Sequence, residues 1–223
     1  MEKNETIPKR LHRYTSLPVL LDMLWKQKLV LVSPEKWRYM PWCDHNDRKN
    51  LEIYEKHIDK KIYVMCFVQD QESHFYWDSI GGGTDCRISF NGPKLIEKLK
   101  NTGIRWGSMN YVKLNDLPKE IKKKTFKLND VPFLKRQPYN QEKEFRIVWE
   151  GIEQENEIKI FDINFGVIDS ITLSDSIPEN VANSVKEIIR KIDGFDVERL
   201  YRGTVHDNKQ WLKYLEDGIK GLK

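Results

Sequence analysis

The sequence has few cysteines and no long apolar run. The three cysteines, Cys43, Cys66 and Cys86, are odd in number and unpaired in spacing, which is typical of free thiols in a reducing compartment. No segment approaches the roughly 18 consecutive apolar residues that a membrane-spanning helix requires. Residues 1–13 are polar and lack the apolar segment of a secretory signal. We therefore expect a cytoplasmic protein with no membrane partner.

An excess of charge of one sign is also missing. The 38 basic and 34 acidic residues leave a net charge of +4, without the one-signed excess of dedicated nucleic-acid binders. What the chain does contain is 39% hydrophobic residues and seven tryptophans among 223 residues, the composition of a well-packed globular protein. It shows no repeat, linker or low-complexity segment. We expect one domain over residues 1–223, with residues 1–10 loosely ordered.

Hydrophobic periodicity predicts strands and helices that are intermixed without strict alternation. This order favours an α+β fold with a mixed or mostly antiparallel sheet core and flanking helices. A polar helix is predicted to begin at Asn46 or Asp47 and to end near Lys61, after a structured loop over residues 37–47. The other predicted helices cover residues 17–24, 118–127, 181–192 and 211–222, and the predicted strands cover residues 11–16, 29–32, 62–68, 86–90, 142–150, 158–163, 167–173 and 197–205.

The predicted strand at residues 142–150 carries the strongest chemical signal. Strand alternation places Glu142, Glu144 and Arg146 on one face and the apolar residues between them on the other. One interpretation is a cleft in which a carboxylate stabilises a developing cation, while Lys135, Arg136 and Arg146 hold substrate phosphates. The other is a strand whose polar face forms cross-strand salt bridges.

Two further segments contain candidate ligand-binding residues. In the opening strand, His12 and Tyr14 alternate with Arg13, and an arginine can contact phosphate or ribose; the alternative is an ordinary surface arginine. In residues 73–84, Trp77 and Ser79 precede three glycines, so that an aromatic ring can form a platform beside turn amides. The alternative there is a strand connection with a buried tryptophan.

Metal and nucleophile sites are less well supported by the pattern. Cys43, Asp44, His45 and Asp47 have the chemistry of metal ligands, but a second ligand pair is missing, so we expect no metal. A cysteine nucleophile paired with His12, His57 or His206 is disfavoured because Cys66 and Cys86 lie in apolar strands. Asp130 followed by Gln141-Glu142-Lys143 is similar to the acidic pattern of metal-dependent nucleases.

The order of motifs resembles a bacterial and phage-associated domain family of unknown function. The resemblance begins with residues 11–16, read as Leu-His-Arg-Tyr-Thr-Ser, and continues through Ser33-Pro34, Asn46-Asp47, Cys66-Phe67, Trp77 and its glycines. It ends with Phe133-Leu134-Lys135-Arg136, Glu142-Lys143-Glu144-Phe145-Arg146 and residues 202–211. The similarity covers nearly the whole chain.

A basic strand residue, then an aromatic or serine segment, then a strand with Glu-x-Glu is similar to the ADP-ribosyltransferases. The resemblance implies NAD as cofactor, with Arg13 or His12 gripping it and Trp77 and Ser79 near nicotinamide. It implies that Glu144 is the essential carboxylate and that Glu142 assists. The middle segment departs from the family because it lacks a Ser-Thr-Ser strand start.

Three functions follow as hypotheses. The first is an ADP-ribosyltransferase-like enzyme that uses NAD in defence or as a toxin. The second is a non-catalytic module that binds nucleic acid or a protein through residues 119–127 and Lys135-Arg136. The third is a metal-dependent nuclease.

Overall fold

The computed structural model describes residues 6–39, 43–79, 85–152 and 157–220. In these residues it contains seven α-helices and eleven strands, joined by several short 3₁₀ segments. The helices are α1 (Leu17–Lys26), α2 (His45–Ile58), α3 (His74–Ser79), α4 (Gly92–Leu99), α5 (Leu117–Ile121), α6 (Glu179–Arg190) and α7 (Lys209–Lys220). The strands are β1 (Arg10–Thr15), β2 (Lys28–Val32), β3 (Lys61–Val68), β4 (Cys86–Asn91), β5 (Arg105–Ser108), β6 (Asn110–Val112), β7 (Leu134–Arg136), β8 (Glu144–Gly151), β9 (Ile158–Asp162), β10 (Ile168–Leu173) and β11 (Leu200–Arg202).

Nine of these strands form one sheet. Its main path runs β11-β10-β4-β1-β3-β2-β9, and β8 pairs with both β3 and β5. All pairings in this sheet are antiparallel except β10 with β11, and a separate parallel pair joins β6 to β7. The predicted α+β class, with a mostly antiparallel sheet and flanking helices, is confirmed.

Strand β3 is the centre at which the sheet divides. Along its whole length it pairs with β8, from Lys61 opposite Gly151 to Val68 opposite Glu144. Its other edge is shared, because β2 pairs near Val64 and β1 pairs only at Val68. The two strands therefore diverge along β3, and the backbone between Val64 and Val68 lies beside the gap.

One face of the sheet carries the main hydrophobic core. Phe145 and Ile147 of β8 alternate with polar residues and have no exposed surface, as strand geometry requires for one buried face. Helices α1, α4 and α6 cover this face with residues spaced three or four apart, such as Leu20 and Leu24 of α1. Each such buried leucine contributes roughly 1.5–3 kcal/mol of hydrophobic stabilisation.

The opposite face is covered by α2, α3 and residues 128–142. Two smaller apolar clusters lie there, one around Trp37, Tyr54 and Val148 and one around Tyr14 and Trp77. The charged residues Glu144 and Arg146 of β8 alternate with the core residues, so they are buried under this second layer rather than facing water. The second layer thus positions the candidate site.

Several predicted elements differ in their boundaries. Helix α2 is capped by Asp44, whose carboxylate accepts a 2.9 Å hydrogen bond from the Asn46 backbone N–H, rather than by Asn46 or Asp47. Strand β8 begins at Glu144, because Lys143 adopts a left-handed conformation with φ of 44° and Glu142 ends the 3₁₀ segment Gln137–Glu142. Residues 74–79, which lie between two predicted strands and for which no helix was predicted, form α3.

Other predicted features lie partly or wholly outside the described residues. The three glycines at 81–83 lie outside them, as do residues 1–5. Within the described residues, Ile7 packs against the main core and β1 begins at Arg10. Among the helices that the structure describes, none combines the length and apolarity needed to cross a bilayer. The single domain over residues 1–223 stays a prediction.

Candidate functional site

A group of charged residues is buried between β8, β7 and the first turn of α2. It consists of Asp47, Lys135, Glu142, Glu144 and Arg146, and we refer to it as the charged cluster. Four of the five residues are buried, and the fifth, Glu142, keeps 20% of its side chain exposed. Buried charges are stable only when paired and hydrogen-bonded, so the contacts within the cluster decide what it can do.

Arg146 is the centre of the charged cluster, with 0% exposure. Its Nη2 and Nη1 donate to the two carboxylate oxygens of Asp47 at 2.7 and 3.2 Å, and its Nε donates to Glu144 Oε1 at 2.8 Å. Nη1 also donates to the Pro132 carbonyl at 2.9 Å. A planar guanidinium suits this forked arrangement, and every contact of Arg146 is internal to the protein.

Lys135 joins the remaining carboxylates. Its Nζ donates to Glu144 Oε2 at 2.8 Å, forms an ion pair with Glu142, and lies 3.6 Å from Asp47 Oδ2. Two basic groups therefore meet three carboxylates, which gives the charged cluster a formal charge of −1 when all five are ionised. The left-handed backbone at Lys143 separates Glu142 from β8, yet both glutamates converge on the same ammonium group.

The pKa values of the two glutamates move in opposite directions. Burial alone would raise the pKa of Glu144, but Arg146 and Lys135 outweigh it and lower that pKa to about 2. The pKa of Glu142 is raised, chiefly by burial, because the attraction of Lys135 is offset by the negative charge of Glu144. Two carboxylates with separated pKa values can play different roles in proton transfer. Glu142, the carboxylate with the raised pKa, is also the more accessible of the two.

An aromatic group lies beside the charged cluster on the same side of the sheet. Tyr14 of β1 packs against Trp77 at a centroid distance of 5.1 Å and against Tyr76 at 5.7 Å. Both partners belong to α3, and Trp77 Nε1 donates to Glu72 at 2.9 Å. Trp77 is buried, so its ring is largely covered by protein. We refer to Tyr14, Tyr76 and Trp77 as the aromatic cluster.

A hydrogen bond links the two clusters. The Tyr76 hydroxyl donates to the Gln141 carbonyl at 3.0 Å, one residue before Glu142. On the other side, Gln69 donates to the Glu144 carbonyl at 3.1 Å. The predicted residues Trp77, Glu142 and Glu144 therefore lie in neighbouring parts of one layer.

Arg13 and His12 occupy different surroundings from each other. Arg13 is half-buried, and its Nη1 donates at 3.2 Å to the carbonyl of Cys66, at the point where β1 and β2 diverge. His12 is buried, with Nδ1 2.9 Å from the Ser89 hydroxyl. Burial, together with the nearby Arg87 and Arg10, lowers the pKa of His12 to about 4. The imidazole is therefore neutral at pH 7. The assignment of NAD contacts to either residue stays a prediction.

The site contains one basic residue that sequence reasoning did not select. Arg87 of β4 pairs across the strands with Tyr14 and Thr172 and lies 3.2 Å from Glu72 Oε2. Its Nε and the Tyr14 hydroxyl are buried without a hydrogen-bond partner among the described residues. Alternation within the predicted strand 86–90 places Arg87 and Ser89 on the face opposite the core residues Cys86, Ile88 and Phe90. This pattern could have identified Arg87 as a candidate.

The remaining predicted phosphate ligand, Arg136, is paired with one of the possible metal ligands, Asp44. Arg136 is exposed but donates to both carboxylate oxygens of Asp44, at 2.8 and 3.2 Å. His45 lies 3.3 Å from Arg48. The pKa of Cys43 is raised to about 11, first by burial, so its thiol is protonated at neutral pH. The residues of the Cys43–Asp47 segment thus hold α2 and β7 together.

Several other predicted residues can be placed. Asp130 accepts a 2.8 Å hydrogen bond from the Lys127 backbone N–H, within the 3₁₀ segment Leu128–Phe133. Ser79 is the last residue of α3. The pKa values of Cys66 and Cys86 are both raised, mainly by burial. Protonated thiols are poor nucleophiles.

Comparison with known proteins found structures but no sequence family. No family model matches the chain, and no curated protein matches it. The resemblance to a domain family of unknown function therefore stays a prediction.

Three solved structures of Thermus sp. 2.9 DarT are similar to this chain at low identity. The complex with carba-NAD+ is 10% identical, covers 92% of this chain and 97% of its own, and has a TM-score of 0.43. The complex with NAD+ is 11% identical, with coverages of 93% and 99% and a TM-score of 0.43. The complex with ADP-ribosylated ssDNA is 12% identical, with coverages of 95% and 99% and a TM-score of 0.45.

Proposed function

We propose that this protein is an ADP-ribosyltransferase-like enzyme that uses NAD. The observation that carries the proposal is the charged cluster itself, in which three carboxylates meet two basic groups and one carboxylate, Glu142, remains accessible. A site with excess negative charge stabilises the oxocarbenium-like centre that forms when the bond between nicotinamide and ribose breaks.

In this proposal Glu142 contacts the substrate, and Glu144 positions Glu142 through the Lys135 that they share. Both oxygens of Glu144 are occupied, by Arg146 and Lys135, and the residue is buried. Glu142 shares Lys135 with Glu144 and has a raised pKa, so it can accept the proton of the attacking nucleophile. The nicotinamide leaves as the neutral base, and the nucleophile bonds to the ribose carbon.

The aromatic cluster supports the proposed nicotinamide side of the site from inside the protein, because its three rings are buried. The Tyr76 hydroxyl donates a hydrogen bond to the Gln141 carbonyl, so the cluster holds the segment that carries Glu142. Arg13 lies opposite Ile88 of the main core, on the other face of the sheet from Tyr14, so this proposal assigns it no contact with NAD. Arg87, with a side chain that is 14% exposed, is a basic group for the phosphates on the aromatic side of the site.

The test is nicotinamide release from NAD, measured together with NAD binding by calorimetry. Wild-type protein is expected to bind NAD and to release nicotinamide in the presence of cell extract. Glu142→Gln is expected to lower kcat by about 10²-fold or more with binding retained, since general acid–base catalysis contributes roughly 10²–10⁴-fold. Glu144→Gln is expected to lower activity as well, with the fold unchanged.

The matched control is Glu187→Gln, which removes an exposed carboxylate that pairs with Arg190 on α6. It is expected to bind and turn over NAD like the wild type. Wild-type protein that neither binds NAD nor releases nicotinamide with any extract would remove the proposal. Activity that survives in both cluster variants would place the chemistry elsewhere.

A second function is favoured by the lysines of residues 119–127. Lys119, Lys122, Lys123, Lys124 and Lys127 are all exposed on or after the short helix α5, as nucleic-acid contact requires. Lys135 is buried in the charged cluster, so it is not part of this surface. We propose that the exposed lysines hold a nucleic acid. Binding that weakens steeply with salt and with reversal of these charges would support this role; salt-independent or absent binding would contradict it.

A further inference from the structure

Three side chains with metal-binding chemistry converge outside the two clusters described above. His74 and Asp78 lie four residues apart on one face of α3, and His206 follows β11. One donor atom from each of the three side chains lies within 4.8 Å of the others. The rings of His74 and His206 are 4.8 Å apart at their centroids. No residue of this group takes part in the proposed catalytic chemistry.

The distances within this group suit a shared ion. Asp78 Oδ2 is 2.8 Å from His74 Nδ1, and Asp78 Oδ1 is 3.8 Å from His206 Nε2. Donor atoms around a tetrahedral zinc are about 3.3 Å apart, given bond lengths of roughly 2.0–2.1 Å. His74 and Asp78 are exposed, so small rotations of their side chains can bring all three donor atoms, now within 4.8 Å of one another, to the separations that zinc requires.

A fourth residue orients His206. This residue is Asp175. Its Oδ1 lies 2.6 Å from His206 Nδ1, and its Oδ2 accepts a 2.7 Å hydrogen bond from the backbone N–H of His206. Because a carboxylate only accepts hydrogen bonds, Nδ1 is the donor, and the lone pair of the neutral ring lies on Nε2, toward Asp78. A carboxylate that holds the far nitrogen of a histidine ligand is the usual outer arrangement of zinc sites.

We propose that His74, Asp78 and His206 bind a divalent transition-metal cation, with Zn²⁺ as the ion their chemistry suits. Two imidazoles and a carboxylate are ligands that zinc accepts, and three protein ligands leave the fourth position for water. His74 would present Nδ1 to the ion and keep its proton on Nε2, which faces solvent.

Such an ion would fasten α3 to the segment that follows β11. His74 and Asp78 lie on α3 on either side of Tyr76 and Trp77, and His206 is tied through Asp175 to the turn after β10. Binding of a metal at these ligands would therefore stabilise the helix that carries the aromatic cluster. This effect requires no activity of the enzyme, so it is separable from the proposed use of NAD.

The experiment is zinc titration of the full chain, freed of any histidine tag and of prior metal, followed by calorimetry and by metal analysis after dialysis. We expect one Zn²⁺ per chain and a higher melting temperature that a chelator reverses. His74→Ala and His206→Ala are each expected to weaken the binding by at least about tenfold, and Asp175→Asn by roughly 10–100-fold. Co²⁺ in place of Zn²⁺ should give a visible absorption band that both histidine variants lose.

The matched control is His57→Ala, an exposed histidine on α2 whose Nδ1 lies 2.9 Å from the Ile53 carbonyl. It is expected to bind zinc like the wild type. Circular dichroism tests whether His206→Ala folds. If His206→Ala does not fold, the zinc affinity of His74→Ala tests the proposal. Failure of the wild type to retain zinc, or retention of zinc by both His74→Ala and His206→Ala, would overturn the proposal. Loss of NAD turnover in other variants has no bearing on this result.

Discussion

Replacing Arg146 by methionine tests how the charged cluster is held together. The change keeps an unbranched apolar side chain in place of the arginine methylene groups but removes the guanidinium, its charge and four hydrogen bonds, to Asp47, Glu144 and the Pro132 carbonyl. It leaves Lys135 alone with three carboxylates. We therefore expect a large loss of stability at neutral pH.

The magnitude follows from the burial of the partners. Removing one member of a buried ion pair costs roughly 3–5 kcal/mol, because the remaining charge is uncompensated. The attraction of two charges 4 Å apart at an effective dielectric of 20 is about 4 kcal/mol, which agrees. A loss of about 4 kcal/mol is a large part of the 5–15 kcal/mol typical of domain stability.

The assay is urea unfolding at pH 7, with the free energy of unfolding taken from the midpoint and slope. Arg190→Met is the control, because Arg190 forms an exposed pair with Glu187 and such pairs contribute about 0–1 kcal/mol. The double variant Arg146→Met with Glu144→Gln lowers the number of carboxylates around Lys135 from three to two, so we expect it to regain stability. It also supplies the comparison if Arg146→Met alone does not fold.

The reasoning would be refuted by a loss of less than about 1 kcal/mol in Arg146→Met, equal to that of Arg190→Met. A double variant that is less stable than the single variant would also contradict it. Either outcome would mean that unpaired carboxylates in this layer are hydrated rather than buried.

Other predictions concern pH and backbone packing. The pKa of Glu144 is about 2 in the folded protein and 4.5 ordinarily, so about 3 kcal/mol of stability that is present above pH 4.5 is lost as the pH falls toward 2. Urea unfolding at a series of pH values measures this loss, and we expect Glu144→Gln to remove the pH dependence. The lowered pKa of His12 predicts that its imidazole resonances titrate near pH 4 in NMR spectra, and that its contribution to stability disappears as the pH falls from 6.5 through 4; a midpoint near 6.5 would contradict its burial. Gly92→Ala is expected to cost about 1–3 kcal/mol of stability in thermal unfolding, because the new Cβ would lie 2.0 Å from the Pro8 carbonyl oxygen. Its control, Gly218→Ala in the exposed helix α7, is expected to be neutral or stabilising.

Much of the fold could be predicted from local pattern. The period of two in residues 145–149 predicted which residues of β8 enter the main core, and Phe145 and Ile147 are fully buried there. The period of 3.6 predicted α6, with Val185 and Ile189 buried. These patterns are readable because each depends on residues that are neighbours in the chain.

Helix α3 and the start of β8 could not be predicted in the same way. Tyr76 and Trp77 bury their rings against Tyr14 of a distant strand, and this packing stabilises a helix of six residues that has little stability alone. The left-handed backbone at Lys143 is a similar case, because lysine has no intrinsic preference for it.

The candidate site was predicted in its residue types but not in its arrangement. Strand alternation brought Glu144 and Arg146 to one face, as expected, and suggested either a cleft or a salt-bridged surface. The structure combines features of both, because Arg146 is enclosed by salt bridges while Glu142 stays accessible. Asp47 joins through a contact that spans 99 residues, which no local pattern can indicate.

The sequence by itself determined the α+β class, the core-facing residues of the main strands and the identity of two glutamates worth testing, because each depends on spacing within a short segment. Only the tertiary structure decided that α2 and β7 cover these glutamates, that two basic groups there meet three carboxylates, and that His74 and His206 approach one another. The physical reason is that burial and charge balance are set by partners brought together in folding, and the balance among those partners determines which carboxylate is left accessible.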